Sequence, residues 1–205
     1  MKYIIMAGGP ATRWRKYNNT TKHLIKIGKE NLLERLVRQL RECNAKEIFI
    51  VSDNELYEIP GATRIPLAFD CKLYNMFYYK YLDEPCTFLY GDTYYYDSVI
   101  NEIISTKTKD IVFFGTQESI VAIKVQNHEK FKYHVDKLRE QELKTGVAVN
   151  RAGWAVYRKL NSIEEDEKIS LLENFTLINE SEVANVNDQQ EYEQLVEKIS
   201  NQVRY

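Results

Sequence analysis

Apolar runs of strand length alternate with helically spaced apolar positions along most of the chain. The first run is Lys2 to Met6. A polar, basic stretch from Ala7 to Lys22 follows, and its length and its glycines mark it as a functional loop. Asn31 then precedes Leu32, Leu33, Leu36, Val37 and Leu40, which share one helical face. Glu34 stands three residues after Asn31, so the pattern predicts a capped helix from about Leu32 to Glu42. Ile48 to Val51 reads as the second strand, and Asp53 to Asp70, broken by Pro60, Gly61 and Pro66, as irregular.

An aromatic helix is expected around Tyr74 to Tyr81. A strand from Cys86 to Tyr90 stops at Gly91-Asp92, and Asp97-Ser98 can cap a helix through about Thr106. Ile111 to Phe114, Ile120 to Val125 and Phe175 to Ile178 are further strands. Asn127 to Glu142 and Asp188 to about Gln202 are helices, the second N-capped by Asp188 with Glu191. This alternation predicts an α/β fold whose sheet is covered on both faces. Neither a repeat nor a linker divides residues 1–205, so a single domain is expected.

Composition narrows the classes of function. Basic and acidic residues nearly cancel at a formal net charge of -2, so no bulk field draws nucleic acid or an anionic membrane, and any anion site must be local. Cys43, Cys71 and Cys86 are widely spaced and form no C-x-x-C pair, which argues against a disulfide framework or a zinc site and fits a cytoplasmic setting. The apolar run before Ala7 is too short for a leader or a membrane span.

Ligands of open α/β sheets bind beyond the carboxyl ends of the strands. Two exits carry the right residues, Ala7-Gly8-Gly9 and Gly91-Asp92. Glycines let backbone N–H groups approach a phosphate, and Arg13 and Lys22 can neutralise its charge. Alone, the glycines fit a tight turn with solvated cations equally well.

The combination says more. Gly8-Gly9, then Thr12-Arg13, then Lys22-His23-Leu24-Ile25-Lys26-Ile27-Gly28, then Asn31-Leu32-Leu33-Glu34-Arg35 resembles the opening of the MobA-like and sugar-phosphate nucleotidyltransferases. In that family it runs Gly-Gly-x-x-x-Arg, Pro-Lys-x-Leu, a glycine turn and a helix starting with Leu and Glu. The resemblance is close over the first fifty residues. It extends loosely to Gly91-Asp92 and to Asn185-Val186-Asn187-Asp188-Gln189-Gln190-Glu191-Tyr192. Thr21 stands where the family has proline, and Asn185 and Asn187 where acidic residues are common.

The resemblance implies a three-layer α/β/α sandwich around a mostly parallel, Rossmann-like mixed sheet of the nucleotide-diphospho-sugar transferase type. It implies transfer of a nucleoside monophosphate from a nucleoside triphosphate to a small phosphorylated acceptor, a sugar phosphate or an alcohol phosphate, with release of pyrophosphate. Arg13 would hold the leaving phosphates and Lys22 the α-phosphate. Ala7, Gly8, Gly9, Thr12, Asn75 and Gly91 would contact the nucleotide. Mg2+ would sit between Asp92 and Asn187, with Asn185 as the substitute ligand. Lys124, in an apolar strand, is read either as a cation for the acceptor phosphate or as a lysine on an exposed edge. No nucleic acid or membrane partner is expected.

Tyr78, Tyr79, Tyr81, Tyr90, Tyr94, Tyr95 and Tyr96 crowd around the Gly-Asp strand, as core, as acceptor pocket or as the face of a homodimer. Two rival readings remain: a GT-A-type glycosyltransferase, and a nucleotide-binding homologue without catalysis.

Overall fold

The computed structural model describes residues 1–9, 14, 20–69, 71–164 and 166–202. In chain order the elements are β1 (Lys2–Met6), β2 (Lys26–Ile27), β3 (Glu30–Asn31), α1 (Leu32–Glu42), β4 (Glu47–Val51), β5 (Thr63–Ile65), α2 (Lys72–Met76), β6 (Cys86–Tyr90), β7 (Thr93–Tyr95) and α3 (Asp97–Ser105). There follow β8 (Ile111–Gly115), β9 (Ile120–Val125), α4 (His128–Thr145), α5 (Ala152–Leu160), β10 (Phe175–Leu177), β11 (Val183–Asn185) and α6 (Gln189–Gln202).

Seven strands form one sheet in the order β10-β8-β9-β6-β1-β4-β5. β9 runs antiparallel to both its neighbours and every other pair is parallel, so the sheet is mixed but mostly parallel, as expected. Alternate side chains of β1 show why both faces are covered. Ile4 and Met6 join a core with Phe77, Phe88, Phe131 and Tyr157, beneath α4 and α5. Tyr3 and Ile5 join another with Leu33, Leu36, Val37, Val99 and Ile103, from α1 and α3. A smaller cluster of Trp14, Ile25, Leu32, Tyr94, Val186 and Leu195 ties α6 to the start of the chain.

The register sets the site. Met6 lies opposite Val51 of β4 and Tyr90 of β6, so the three central strands end at one level. Ala7, Ser52 and Gly91 follow them directly.

Local chemistry accounts for the agreements and the differences. Asn31 Oδ1 accepts from Glu34 N at 2.9 Å and Glu34 returns the bond to Asn31 N at 2.9 Å, the predicted capping box of α1. Asp188 Oδ1 accepts from Glu191 N at 3.0 Å at the head of α6. The aromatic helix is shorter than expected, because Tyr78 takes a left-handed φ of 31° and α2 has already ended at Met76. Asp97 does not cap α3. Tyr96 holds the cap position without a side-chain bond, and Asp97 Oδ1 accepts from Gln39 Nε2 at 2.6 Å. α5 and the β7–β11 ribbon lie in stretches for which no element was expected. Among the described residues no helix is long and apolar enough to cross a membrane.

Candidate active site

β1 and β6 deliver two glycine-containing exits side by side. Ala7 N donates to Val51 O at 3.2 Å, which carries the chain past the end of β4, and Gly8 and Gly9 emerge exposed. A Cβ on Gly8 would stand 2.8 Å from Leu67 Cδ2, whereas one on Gly9 would meet nothing within 4 Å. Gly8 is thus set by packing, and Gly9 leaves open backbone at the strand exit. Gly91, expected to touch nucleotide, is buried and its N–H donates to Met6 O at 3.1 Å. A Cβ there would press on Met6 O and Ile5 Cγ2, both at 3.1 Å, so its role is close approach of β6 to β1. Thr12 and Arg13 lie outside the described residues.

Lys22 opens a 3-10 turn, Lys22–Leu24, in which Lys22 and His23 are buried. Its ammonium group forms an ion pair with the Asp92 carboxylate, and both side chains are largely buried. The two residues singled out 70 positions apart therefore meet. His23 beside them is buried, with Nδ1 2.9 Å from the Tyr57 hydroxyl. Burial lowers its pKa to about 4, outweighing the Asp92 charge that would raise it, so the ring is neutral at pH 7.

The β7–β11 ribbon supplies the second half of the site. Asn185 pairs with Thr93, and Val186 N donates to Asp92 O at 2.7 Å, which brings the late Asn-Val-Asn segment against the Gly-Asp turn. Asn185 Oδ1 accepts from Thr93 Oγ1 at 2.9 Å. Asn187 donates through N and Nδ2 to Glu191 Oε2, at 2.7 and 3.1 Å, which turns its amide oxygen away from Glu191. Asp92, Asn185 and Asn187 line one cavity of about 220 Å³.

This donor set fits Mg2+. A hard cation that keeps most of its water needs one or two protein oxygens plus phosphate oxygens from a substrate, and Asp92 with Asn187 offers a carboxylate and an amide oxygen. Among the described residues no cluster of three or more His, Cys, Asp or Glu could hold a metal by itself.

Two sequence expectations are corrected. Lys124 lies at the opposite end of the sheet, paired with Thr87 near the start of β6. It is buried, and Nζ donates to the carbonyls of Ile103, Ile104 and Thr106 at 3.1, 2.8 and 2.7 Å. Its charge is satisfied by the C-terminal carbonyls of α3, not by an acceptor phosphate. Asn75 holds its own loop: its Oδ1 accepts from Ala68 N and Phe69 N at 3.1 and 3.0 Å, and Nδ2 donates to Phe69 O at 2.5 Å. The amide oxygen and one of the two amide N–H donors are thus committed to the loop of Asn75 itself.

The tyrosines are mostly structural. Tyr95 is buried with its hydroxyl 2.6 Å from Val121 O, and Tyr79 stacks on Tyr74 with both hydroxyls on Asp136. Tyr90 alone of the predicted cluster lines the cavity beside Asp92. Arg151, Glu118 and Trp154 also line it, and none was singled out from sequence. Arg151 precedes α5 in a left-handed conformation, φ 48° and ψ 54°, without a side-chain capping bond, so no helix-start signal marks it.

Gly8-Gly9 at the end of β1 and the lysine-paired Asp92 after β6 thus lie at the carboxyl ends of parallel strands, the end at which open α/β sheets bind ligands, and the β7–β11 ribbon adds Asn185 and Asn187 beside Asp92. Residues 3–74 match the family model of the MobA-like NTP transferase domain. The fold is similar over 97% of this chain and 98% of the other to the CTP:phosphocholine cytidylyltransferase of Streptococcus pneumoniae, with a TM-score of 0.66 at 16% identity. It is also similar to a proposed glucose-1-phosphate thymidylyltransferase from Bacillus anthracis, in complex with sucrose, with a TM-score of 0.60 at 12% identity over 96% and 94% of the two chains. No curated protein sequence gives a significant match.

Proposed function

We propose that the protein is a cytoplasmic nucleotidyltransferase that moves a nucleoside monophosphate from a nucleoside triphosphate onto a sugar phosphate or alcohol phosphate. The observation that carries this reading is the ion pair of Lys22 with Asp92, a residue that lines one cavity with Asn187. The MobA-like match over residues 3–74 supports it.

The reaction needs no protein nucleophile. A phosphate oxygen of the acceptor attacks the α-phosphorus, a new P–O bond forms, and the bond to the bridging oxygen breaks as pyrophosphate leaves with the electron pair. Catalysis then consists of placing two polyanions together and stabilising the charge that spreads over the phosphate oxygens. Lys22, released from Asp92, supplies a buried cation for the α-phosphate. Arg13, in the same loop, takes the leaving phosphates. The exposed backbone at Gly9 cradles the triphosphate, while Asp92 and Asn187 would hold Mg2+. Such an ion would supply positive charge beside the phosphates, lowering the repulsion between donor and acceptor.

The test is pyrophosphate release from CTP, UTP, GTP, ATP or dTTP with Mg2+ and either phosphocholine or glucose 1-phosphate, the acceptors of the two enzyme classes whose fold this chain shares. Release with one donor–acceptor pair is expected, falling on the order of 10²-fold or more in Asp92→Asn. Release with none of the pairs would contradict the proposal, and nucleotide binding without release would leave a binding domain.

A further inference from the structure

The cavity beside Asp92 has lining residues that the nucleotide reading leaves unused. Besides Asp92, Asn185 and Asn187, it is lined by Arg151, Glu118 and Trp154. Arg151 also lines an adjoining space of about 520 Å³ that shares Asn185 and Asn187 with it. The arginine thus stands where two openings onto the same asparagines overlap.

Its charge is unmatched. Arg35, Arg38, Arg64 and Arg139 each meet a carboxylate at 3.4 Å or less. Among the described residues Arg151 meets no carboxylate, and its guanidinium has one long bond, 3.4 Å, to the backbone oxygen of Glu118. The backbone is costly as well. A non-glycine residue at φ 48° is strained, yet Arg151 keeps that conformation immediately before α5. Electrostatics decides what such a cation is for. The Asp92 carboxylate lines the cavity and is paired with Lys22, so a dianion entering beside it needs a further cation. A guanidinium carries the planar fork of donors that matches phosphate oxygens.

We infer that this cavity is the acceptor site and that Arg151 binds the phosphate of a phosphate monoester there, close to Asp92 and Asn187. The inference rests on the transferase reading for the word acceptor. The phosphate-binding role rests on the cavity and its unmatched arginine.

The test uses methyl phosphate as the probe, titrated by calorimetry into the full chain and into Arg151→Gly and Arg151→Lys. Glycine adopts the left-handed conformation freely, so Arg151→Gly removes the cation without burdening the fold, and its melting temperature should equal or exceed that of the parent. Expected is binding to the parent protein, weakened about tenfold or more in Arg151→Gly and less in Arg151→Lys, which keeps charge but loses the fork. The stabilisation by nucleotide with Mg2+ should be unchanged in both variants. Equal methyl phosphate affinity in the parent and Arg151→Gly, or no binding to the parent, would overturn the inference. If methyl phosphate binding depends on Arg151 while no nucleotide binds, the transferase reading fails and the phosphate site stands. If nucleotide binds and methyl phosphate is indifferent to Arg151, the present inference fails alone.

Discussion

Replacing Lys124 with methionine separates a structural lysine from a catalytic one. The ammonium group makes three hydrogen bonds of 2.7 to 3.1 Å to carbonyls at the end of α3, from a side chain that is 6% exposed. Methionine fills most of the volume but donates nothing, leaving those carbonyls without their buried donor. Hydrogen bonds to a charged group contribute about 1.5–3 kcal/mol each, but one ammonium shares three acceptors and its own desolvation offsets part of the gain. A net loss of about 2–4 kcal/mol follows. For a domain of this size that lowers the melting temperature by roughly 10 °C. Urea unfolding would give the free-energy change, with an unchanged m-value showing that the unfolded state is not involved. Pyrophosphate release measured well below both melting temperatures should stay within about threefold of the parent. A Lys124→Met protein of parental stability that has lost activity would refute the reasoning and return Lys124 to the chemistry.

Other substitutions probe the same framework. His23 titrates at about 4 in the folded protein because burial disfavours its charged form, against an ordinary value of 6.5. The unfolded chain therefore binds the proton first as pH falls. Stability that is complete above pH 6.5 should decline by about 2 kcal/mol at pH 5 and about 3 kcal/mol at pH 4, and His23→Phe should flatten that slope in urea titrations. An unchanged slope would contradict the assignment. Tyr95→Phe removes a buried hydroxyl that accepts from Tyr90 N at 3.0 Å and donates to Val121 O at 2.6 Å, and should cost about 1–3 kcal/mol by thermal unfolding. Gly115→Ala places a Cβ 2.0 Å from Ser119 O in the β8–β9 connection. Loss of at least about 2 kcal/mol is expected, together with weaker methyl phosphate binding, because that connection carries the Glu118 backbone oxygen that accepts from Arg151.

The parts of the fold that were legible share a cause. β1, β4, β6, β8 and β9 are short apolar runs buried on both faces, and α1 announces itself through Asn31, Glu34 and a one-sided apolar stripe. The β7–β11 ribbon was not legible, because three-residue strands held by partners about ninety positions away leave no local period. α5 follows directly on Arg151, whose left-handed conformation no sequence signal marks, and this also hid the residues that α5 and Arg151 bring to the cavity.

The site divides in the same way. Lys22 and Asp92 could be singled out as candidates because each stands at a strand exit or in the loop that serves one, and their side chains pair in the structure. Lys124 misled because a charge in an apolar strand demands some partner, and sequence does not show that the end of α3 is within its reach. Asn75 misled for a related reason, since its amide is used within seven residues of its own position.

In the proposed reaction a nucleotide would replace Asp92 as the partner of Lys22, and the freed Asp92 carboxylate would help to hold Mg2+. Thermal unfolding with CTP, UTP, GTP, ATP and dTTP, each with and without Mg2+, on the parent and on Lys22→Gln tests it most directly. A nucleotide near a hundredfold its dissociation constant should stabilise the parent by about 2.7 kcal/mol, a rise of roughly 5–10 °C. That rise should appear for one base, require Mg2+ and largely vanish in Lys22→Gln. No rise with any nucleotide, or an equal rise in Lys22→Gln, would contradict the account.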